Sequence, residues 1–287
     1  MKIEFTKYHG AGNDYIAIDG RGIELDWGLL SKEMSEPHFG VYSDGIVVVK
    51  ESDVADVKMR IFNPDGSESE MSGNGVRLFS KFVLDNYIIE PSLNKIRDCL
   101  KVETGGGIRE VYPQFKNDLM VSAKVAMGEP KFLRDQIPVN PEIVRKNVEI
   151  TDYEIDVGEN LTISCVNIGN PHAILITETD VDQFNLERIG PLIENNVLFP
   201  NRINFEIVNV ISRDSIKARI FERGAGETLS SGTGTSACGV ICIRKKLVHR
   251  DVRVNVPGGF LDVSWNEGDE VYLEGPAEKV FSGTWEL

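Results

Sequence analysis

The sequence predicts a β-rich protein with few helices, built from two similar halves. Short runs of strand-forming residues recur along the chain, two segments carry a helical pattern, and one stretch of sequence occurs twice. The chain has 287 residues, of which 41% are hydrophobic. A chain of this size can bury one large core or two ordinary ones, so a duplicated fold is physically feasible.

The secondary-structure predictions rest on the spacing of apolar side chains. In the segment 57–62, apolar Val57, Met59 and Ile61 alternate with other residues, which is the period of a half-buried strand. Other runs predict strands at 2–8, 15–19, 45–50, 120–127 and 161–168. The segments 75–86 and 235–246 instead group their apolar residues on one helical face, so we predict a helix over each.

The repeat is the most informative feature. Eight residues recur without a gap at one constant offset of 159 positions. They are Lys58, Arg60, Ile61, Phe62, Glu68, Ser72, Gly73 and Gly75, which match Lys217, Arg219, Ile220, Phe221, Glu227, Ser231, Gly232 and Gly234. Coincidence could supply one Ser-Gly-x-Gly segment but hardly eight ungapped identities, so we infer a duplicated structural unit.

The repeat suggests where the chain divides. A Gly-Asn turn follows an early strand in each half, at Asn13 and at Asn170. The halves are expected to meet near Pro130, which gives domains 1–127 and 128–287, and a last strand at about 275–287 could return to the first domain. The charged stretch 134–156 is expected to be a surface excursion of the second half.

Each repeat places a Ser-Gly-x-Gly loop, at Ser72 and at Ser231, before a predicted helix. Backbone N–H groups of a first helical turn point outward, and the helix dipole favours negative charge there. A serine at this position is also a common N-cap for purely local reasons. Two copies in a duplicated chain favour a shared small-molecule site, because ligands often bind where domains meet.

Composition excludes several classes of partner. The formal charge of −14 repels nucleic-acid phosphates and anionic membranes, so we expect a small-molecule substrate as the partner. No apolar run reaches about eighteen residues, and the first residues lack the pattern of a signal peptide. The four cysteines, Cys99, Cys165, Cys238 and Cys242, lack the spacing of a zinc site or redox pair. We therefore expect a cytoplasmic protein without a metal; the sequence leaves a homodimer open.

A nucleotide site is not predicted, although the segment 232–237 resembles a shortened dinucleotide-binding fingerprint, with Asp251 at a suitable distance. The preceding segment 222–230 is polar and glycine-rich, whereas that fingerprint requires a buried parallel strand there. The phosphate-loop pattern GxxxxGK[ST] is absent from the sequence.

Six segments, in order, form the most specific pattern in the chain. They are HGAGNDY at 9–15, FNPDGSE at 62–68, NIGNPH at 167–172, ERGAGET at 222–228, VPGG at 256–259 and GPA at 275–277. These segments resemble the motifs HGxGNDF, FNxDGSE, MGNPH and ERGxGET, and the closing segments, of the diaminopimelate epimerases. That family consists of cofactor-independent amino-acid epimerases, and the resemblance runs nearly end to end.

The resemblance implies an α+β fold of two pseudo-symmetric domains, each a twisted barrel-like mixed sheet around a central helix. It implies interconversion of LL- and meso-diaminopimelate, in lysine and peptidoglycan synthesis, without cofactor or metal. By the resemblance, the substrate lies between the domains, and its α-carboxylate is received by amides around Gly73, Asn74, Gly232 and Thr233. The residues implied to hold its other polar groups are Asn13, Asn63, Asn170, Asn204, Glu222 and Arg223.

The chain departs from the family at the two proton-carrying positions. The family uses two cysteines, one removing the α-proton and the other donating a proton to the opposite face, and here both positions hold serine, Ser72 and Ser231. An aliphatic hydroxyl has a pKa near that of water, about 15.7, against about 8.5 for a thiol. The difference is roughly 10 kcal/mol, whereas a helix terminus supplies about 0.3–2 kcal/mol. We therefore expect slow proton exchange.

Three explanations of the serines stay open: deliberate replacement of cysteine, a natural lineage with a shifted substrate or chemistry, and a binding protein that has lost catalysis. The alternative functions are accordingly a racemase or isomerase of another amino acid, and a non-catalytic amino-acid-binding protein. Glu68 and Glu227 lie near the loops in sequence but are expected to be structural. His9, His172 and Asp44 are interpreted as hydrogen-bonding residues rather than catalytic ones.

Overall fold

The computed structural model describes residues 1–86, 88 and 98–287. The chain forms two compact units. The first comprises Met1–Ala126 and Glu274–Leu287, and the second comprises Met127–Leu273.

The first unit is mostly β-structure. Its elements are β1 (Lys2–Gly10), β2 (Asn13–Asp19), α1 (Trp27–Ser35), β3 (Ile46–Lys50), β4 (Val57–Phe62), β5 (Glu68–Ser69), α2 (Gly73–Asp85), β6 (Leu100–Thr104), β7 (Gly107–Lys116) and β8 (Leu119–Gly128). The chain leaves this unit near the end of β8.

The second unit has the same character. Its elements are β9 (Tyr153–Asp156), β10 (Asn160–Asn167), β11 (Pro171–Ile176), a short 3₁₀ turn (Val181–Gln183), α3 (Leu186–Glu194), β12 (Asn204–Ser212), β13 (Ser215–Glu222), β14 (Gly226–Thr228), α4 (Gly232–Arg244), β15 (Asp251–Val256) and β16 (Gly259–Ser264). The chain returns to the first unit within β17 (Val271–Pro276) and ends in β18 (Glu278–Glu286), which pairs antiparallel with β1.

Both units repeat one topology. In the first unit, the successive pairings β1–β2, β2–β3, β3–β4, β4–β6 and β6–β7 are antiparallel, parallel, antiparallel, parallel and antiparallel. In the second unit, β10–β11, β11–β12, β12–β13, β13–β15 and β15–β16 follow the same sequence of directions. Helices α2 and α4 are both 13 residues long and begin at Gly73 and Gly232, 159 positions apart. The duplication predicted from the repeat is therefore present in the fold.

A central helix occupies the middle of each unit. Every residue of α2 from Gly73 to Val83 is buried, and the helix contacts β1, β2, β3, β4, β6 and β7. Helix α4 is buried over most of its length and contacts β10, β11, β12, β13, β15 and β16. A helix that is buried all round must be covered on every side, and here strands cover it. The α+β class, with a sheet wrapped around a helix in each unit, is confirmed.

Several element predictions need correction. The central helices start at 73 and 232 rather than at 75 and 235, because the glycines of the first turn carry no apolar signal yet adopt helical geometry behind a serine cap. Helices α1 and α3 were not predicted. Each has only nine residues, and α3 contains Pro191, which weakens the sequence signal for a helix.

The segment 134–156 is more than the surface excursion that its charge predicted. Ile137, Ile150 and Ile155 are buried in the core of the second unit, together with Val139 and Val144. The charged residues between them point to solvent, so the segment covers one side of the core. The sequence did not predict this role because the buried residues of the segment contact distant strands and do not recur at the spacing of a helix or strand.

Candidate active site

The first serine loop caps the central helix of the first unit. Ser72 has extended backbone angles, φ −141° and ψ 124°, and its Oγ accepts a hydrogen bond of 3.0 Å from the Gly75 amide. A Cβ on Gly75 would lie 3.0 Å from Ile61 Cδ1 and 3.1 Å from Ser72 Cβ, so a side chain there would crowd the loop. The capped first turn therefore presents the positive end of the helix beside Ser72.

The second serine loop has the same geometry in the second unit. Ser231 has φ −135° and ψ 129°, and its Oγ accepts a hydrogen bond of 3.4 Å from the Gly234 amide. Ser231 is buried, whereas Ser72 is half-buried. A Cβ on Gly234 would lie only 2.9 Å from Glu206 Oε1, so this position needs glycine because a carboxylate lies directly beneath the helix.

Polar side chains gather at one edge of the sheet in the first unit. Parallel β2 and β3 begin side by side, which brings Asn13 to Asp44; Asn13 Nδ2 donates to Asp44 Oδ2 at 2.5 Å. A Cβ on Gly45 would lie 3.4 Å from Asn63 Cα, which places Asn63 at the same edge. The Tyr15 hydroxyl lies 3.5 Å from Ser72 Oγ and links this edge to the serine loop.

Asn74, in the first turn of α2, is tied to a buried cation. Its Oδ1 accepts a hydrogen bond of 2.7 Å from Arg77 Nη2, and both residues are buried. Burial lowers the pKa of the Arg77 guanidinium to about 10. At neutral pH the guanidinium is still charged and adds to the positive potential at this helix end.

The corresponding edge in the second unit collects four of the predicted residues. Buried Asn204 donates from Nδ2 to the Pro171 carbonyl at 2.7 Å and accepts at Oδ1 from the Arg223 amide at 2.9 Å. Asn170 lies before Pro171, and Glu222 lies before Arg223. The Arg223 side chain is exposed and donates to the Asn201 carbonyl at 3.0 Å.

The repeated arginines and glutamates form one ion pair in each unit. Arg60 contacts both carboxylate oxygens of Glu68 at 2.8 Å, and Arg219 contacts those of Glu227 at 2.7 and 2.8 Å. The hydrogen bond from Arg60 is the main reason that the pKa of Glu68 is lowered. These contacts agree with the structural role expected for the two glutamates, so neither is a ready base for a serine.

Two acidic residues beside the predicted set received no site role from sequence reasoning. Asp44 holds Asn13 and also accepts from the Asp14 amide at 3.0 Å. Glu206 is completely buried and contacts His172, with 2.6 Å between Oε1 and Nδ1. Burial raises the pKa of Glu206, while the neighbouring His172 opposes that shift. The sequence did offer one indication of Glu206: it is the only charged residue in the mainly apolar segment 203–208.

Three of the four cysteines are buried, and none of the four is at position 72 or 231. Cys238 and Cys242 lie inside α4 and are fully buried. Burial raises the pKa of Cys242 to about 12 and that of Cys238 well above its ordinary value. Cys165 is also buried, and burial raises its pKa too.

Two kinds of feature are absent from the residues that the structure describes. Within residues 1–86, 88 and 98–287, no three histidine, cysteine or acidic side chains are grouped so that they could hold a metal ion. Across the same part of the chain, no helix is both long enough and apolar enough to cross a membrane.

Comparison with known proteins identifies relatives of nearly the same length. A diaminopimelate epimerase from Methanococcus maripaludis is 42% identical over 286 residues, covering 98% of this chain and 99% of its own. Diaminopimelate epimerases from Desulfovibrio desulfuricans and Acetivibrio thermocellus are 41% and 42% identical, and 99% of each chain is covered.

Solved structures with this fold are more distant in sequence. A PhzF-family phenazine biosynthesis protein from Bacillus anthracis aligns over 100% of both chains, with a TM-score of 0.69 and 18% identity. A probable proline racemase from Agrobacterium radiobacter gives a TM-score of 0.70 at 14% identity, covering 99% of this chain and 93% of its own. At such low identity these likenesses show the fold alone.

The family profile described as diaminopimelate epimerase matches residues 5–133 and 164–280, which include both serine loops and both polar sheet edges. With this match and relatives above 40% identity over nearly the whole length, the chain belongs to the diaminopimelate epimerase family.

Proposed function

We propose that this chain binds diaminopimelate and, as a cytoplasmic enzyme without a cofactor or metal, interconverts its LL and meso forms only slowly, because both proton-carrying positions hold serine. The observation that carries the proposal is the pair of serine-capped helix N-termini, each accompanied by a polar sheet edge in its own unit. The relatives named diaminopimelate epimerase support the choice of substrate. The four free cysteines suit a reducing compartment.

The proposed contacts follow from the charges of the substrate. Diaminopimelate carries a carboxylate and an ammonium group at each end, so it needs both donors and acceptors. The amides that begin α2 and α4 suit a carboxylate, because the helix dipole favours an anion there. Exposed Arg223 can bind a second carboxylate through two parallel hydrogen bonds, and Glu222 can accept from an ammonium group.

Epimerisation requires one proton carrier on each face of the α-carbon. The Cα–H bond breaks as a base takes the proton, the electron pair stays on carbon next to the carboxylate, and an acid on the other face forms the new C–H bond. We propose that positions 72 and 231 are these carriers. A serine hydroxyl lies about seven pKa units above a thiol, so we expect exchange to be slow in this chain.

Binding and exchange can be measured separately. Calorimetric titration should show binding of LL-diaminopimelate, and weaker binding of lysine, which lacks the second carboxylate. Proton NMR in D₂O should then show little loss of the α-proton signal. Tighter binding of another amino acid would reject diaminopimelate as the substrate, and rapid loss of the signal would reject the expected slow exchange.

The double variant Ser72→Cys/Ser231→Cys tests the proton carriers. A thiol supplies a base at neutral pH, so we expect loss of the α-proton and appearance of the second stereoisomer at a rate at least a hundredfold above that of the unmodified chain. The single variants are the matched controls and should form the second stereoisomer slowly, because one face still lacks a carrier; exchange with retention from the thiol face is the most that they should show. A double variant that binds the substrate but gains no exchange would contradict the assignment of positions 72 and 231.

A further inference from the structure

A buried ionisable pair lies inside the second unit and is not used by the chemistry above. His172 is on β11 and Glu206 is on the adjacent β12; Nδ1 of the histidine lies 2.6 Å from Oε1 of the glutamate. Neither residue is exposed to solvent. The second carboxylate oxygen, Oε2, is buried and has no hydrogen-bond partner among the described residues. Burying a carboxyl group with an unpartnered oxygen costs free energy, so we looked for a function that Glu206 could serve.

The second ring nitrogen of His172 connects this pair to the sheet edge. Its Nε2 lies 2.8 Å from Oδ1 of Asn170, an atom that can only accept a hydrogen bond. With the amide in this orientation, Nε2 carries the proton of this contact. The Nδ1–Oε1 contact then also contains one proton, held by the histidine if Glu206 is ionised and by Glu206 if it is neutral. In both states His172 donates from Nε2 to Asn170.

This contact fixes which way the Asn170 amide points. With Oδ1 held by His172, the Nδ2 group is turned away from the ring, and no described residue accepts a hydrogen bond from it. Asn170 is partly exposed at the sheet edge that also carries Asn204 and Arg223. An amide turned this way offers N–H donors, so it suits an anionic oxygen of a ligand rather than an ammonium group.

The shared framework does not require the pair, as the first unit shows. The register Ile16↔Ile46 in β2–β3 corresponds to Ala173↔Phe205 in β11–β12, so Tyr15 and Val47 occupy the places of His172 and Glu206. Val47 is fully buried in the same position of an equivalent sheet. The same topology therefore forms with an apolar residue at this position, so the sheet does not require a carboxylate there.

We propose that Glu206 is a positioning residue: through His172 it fixes the side-chain amide of Asn170 so that its N–H groups face a carboxylate of the substrate. Glu206 lies directly beneath the first turn of α4, because a Cβ added to Gly234 would be only 2.9 Å from its Oε1. The inference deepens the proposed function, since it rests on a dicarboxylic substrate bound at this edge.

Three variants separate positioning from folding. Glu206→Met removes the partner of Nδ1, so either ring nitrogen can carry the proton and the Asn170 amide is no longer held in one orientation. The buried, unpaired Nδ1 also lowers stability. His172→Phe/Glu206→Met removes both polar groups, which can be nearly neutral for stability, yet still releases Asn170. Glu206→Gln keeps a group that can donate to Nδ1, as neutral glutamate does, and should preserve the orientation of the amide.

The first measurement is the Kd of LL-diaminopimelate by calorimetry, with thermal unfolding as a check on folding. We expect the double variant to bind roughly ten- to a hundredfold more weakly, which is the effect of losing a hydrogen bond to a charged group. Glu206→Gln should bind like the unmodified chain. Asn170→Ala should weaken binding to the same degree, and adding the double change to it should have no further effect. Additive losses, or unchanged binding by the folded double variant, would overturn the proposal.

The second measurement needs no substrate. Nitrogen-15 NMR of labelled histidine should show His172 protonated at Nε2 in the unmodified chain and in Glu206→Gln, but a mixture of the two tautomers in Glu206→Met. The Asn170 side-chain amide resonances should shift in the double variant. If the unmodified chain fails to bind diaminopimelate while these signatures appear, the proposed function fails and the positioning stands. If diaminopimelate binds and the NMR signatures are absent, the proposed function stands and the positioning role of Glu206 fails.

Discussion

Ser72 accepts a hydrogen bond from the Gly75 amide through the same oxygen that would have to move a proton. The contact stabilises the first turn of α2 and occupies a lone pair of the hydroxyl. A thiol is a weaker acceptor and a far better base, so cysteine and serine favour different properties at one position. In the proposed function, the choice between serine and cysteine at position 72 is therefore a choice between a stronger helix cap and a better base.

Tyr8 provides a test of burial at the residue scale. Burial, assisted by the charge of Asp85, raises the pKa of the Tyr8 phenol to about 12, above its ordinary value of 10. The folded protein therefore keeps the proton at pH values where the unfolded chain has lost it. Stability from this group is complete below pH 10 and is lost as the pH rises from about 10 to 12.

Urea unfolding at several alkaline pH values checks this expectation. Tyr8→Phe should lose less of its unfolding free energy between pH 10 and 12 than the unmodified chain. Tyr42→Phe, at an exposed tyrosine, is the matched control and should leave the pH dependence unchanged. Equal slopes for Tyr8→Phe and the unmodified chain would contradict the assignment.

At the scale of elements, each central helix depends on the loop that begins it. Strands enclose both helices, so the first turn of each helix is fixed by the residues packed around it. Sequence periodicity located both helices, because their apolar residues recur at the helical spacing. It placed their starts too late, since the glycines that begin them have no side chains to show a period. The cap geometry, and not the pattern, defines the first residue.

The caps can be tested by stability alone. Ser72→Ala should lower the unfolding free energy by about 0.5–2 kcal/mol. Ser72→Gly should lower it by only a few tenths of a kcal/mol, because glycine is tolerated as a cap. The Oγ–amide contact is longer at Ser231 than at Ser72, 3.4 against 3.0 Å, so the capping loss should be smaller there. Thermal unfolding measures these changes. Equal losses for alanine and glycine at position 72 would show that capping is not the cause.

At the scale of the whole molecule, the first unit is completed by the end of the chain. Strand β18 pairs along β1 from Lys2↔Glu286 to His9↔Glu278, and Phe281 makes an edge-to-face contact with Phe5. The half-chain 1–127 therefore lacks a strand that its own sheet requires. The sequence repeat identifies the duplicated core of each unit. It does not show that the last strand, β18, belongs to the first unit.

Deleting residues 278–287 should destabilise the first unit selectively. The loss uncovers β1, whose Ile3 and Phe5 belong to that unit's core. Hydrogen exchange followed by mass spectrometry should show faster exchange in β1 and little change in β10, its counterpart in the second unit. Removal of Leu287 alone is the control and should leave both strands protected. Equal loss of protection in β1 and β10 would contradict an effect confined to the first unit.

The sequence by itself determined the duplication, both central helices and the two serine loops, because each is encoded by local spacing or by direct repetition. It also indicated polar residues for the proposed site, through motifs that lie within single turns. Only the tertiary structure joined His172 to Glu206, 34 positions apart, and set Asn170 against them. It also separated the glutamates of the repeat, which are bound to arginine, from Glu206, which is buried beneath α4. Such pairings depend on strand register between distant segments, and register is decided by how a whole sheet packs around its helix.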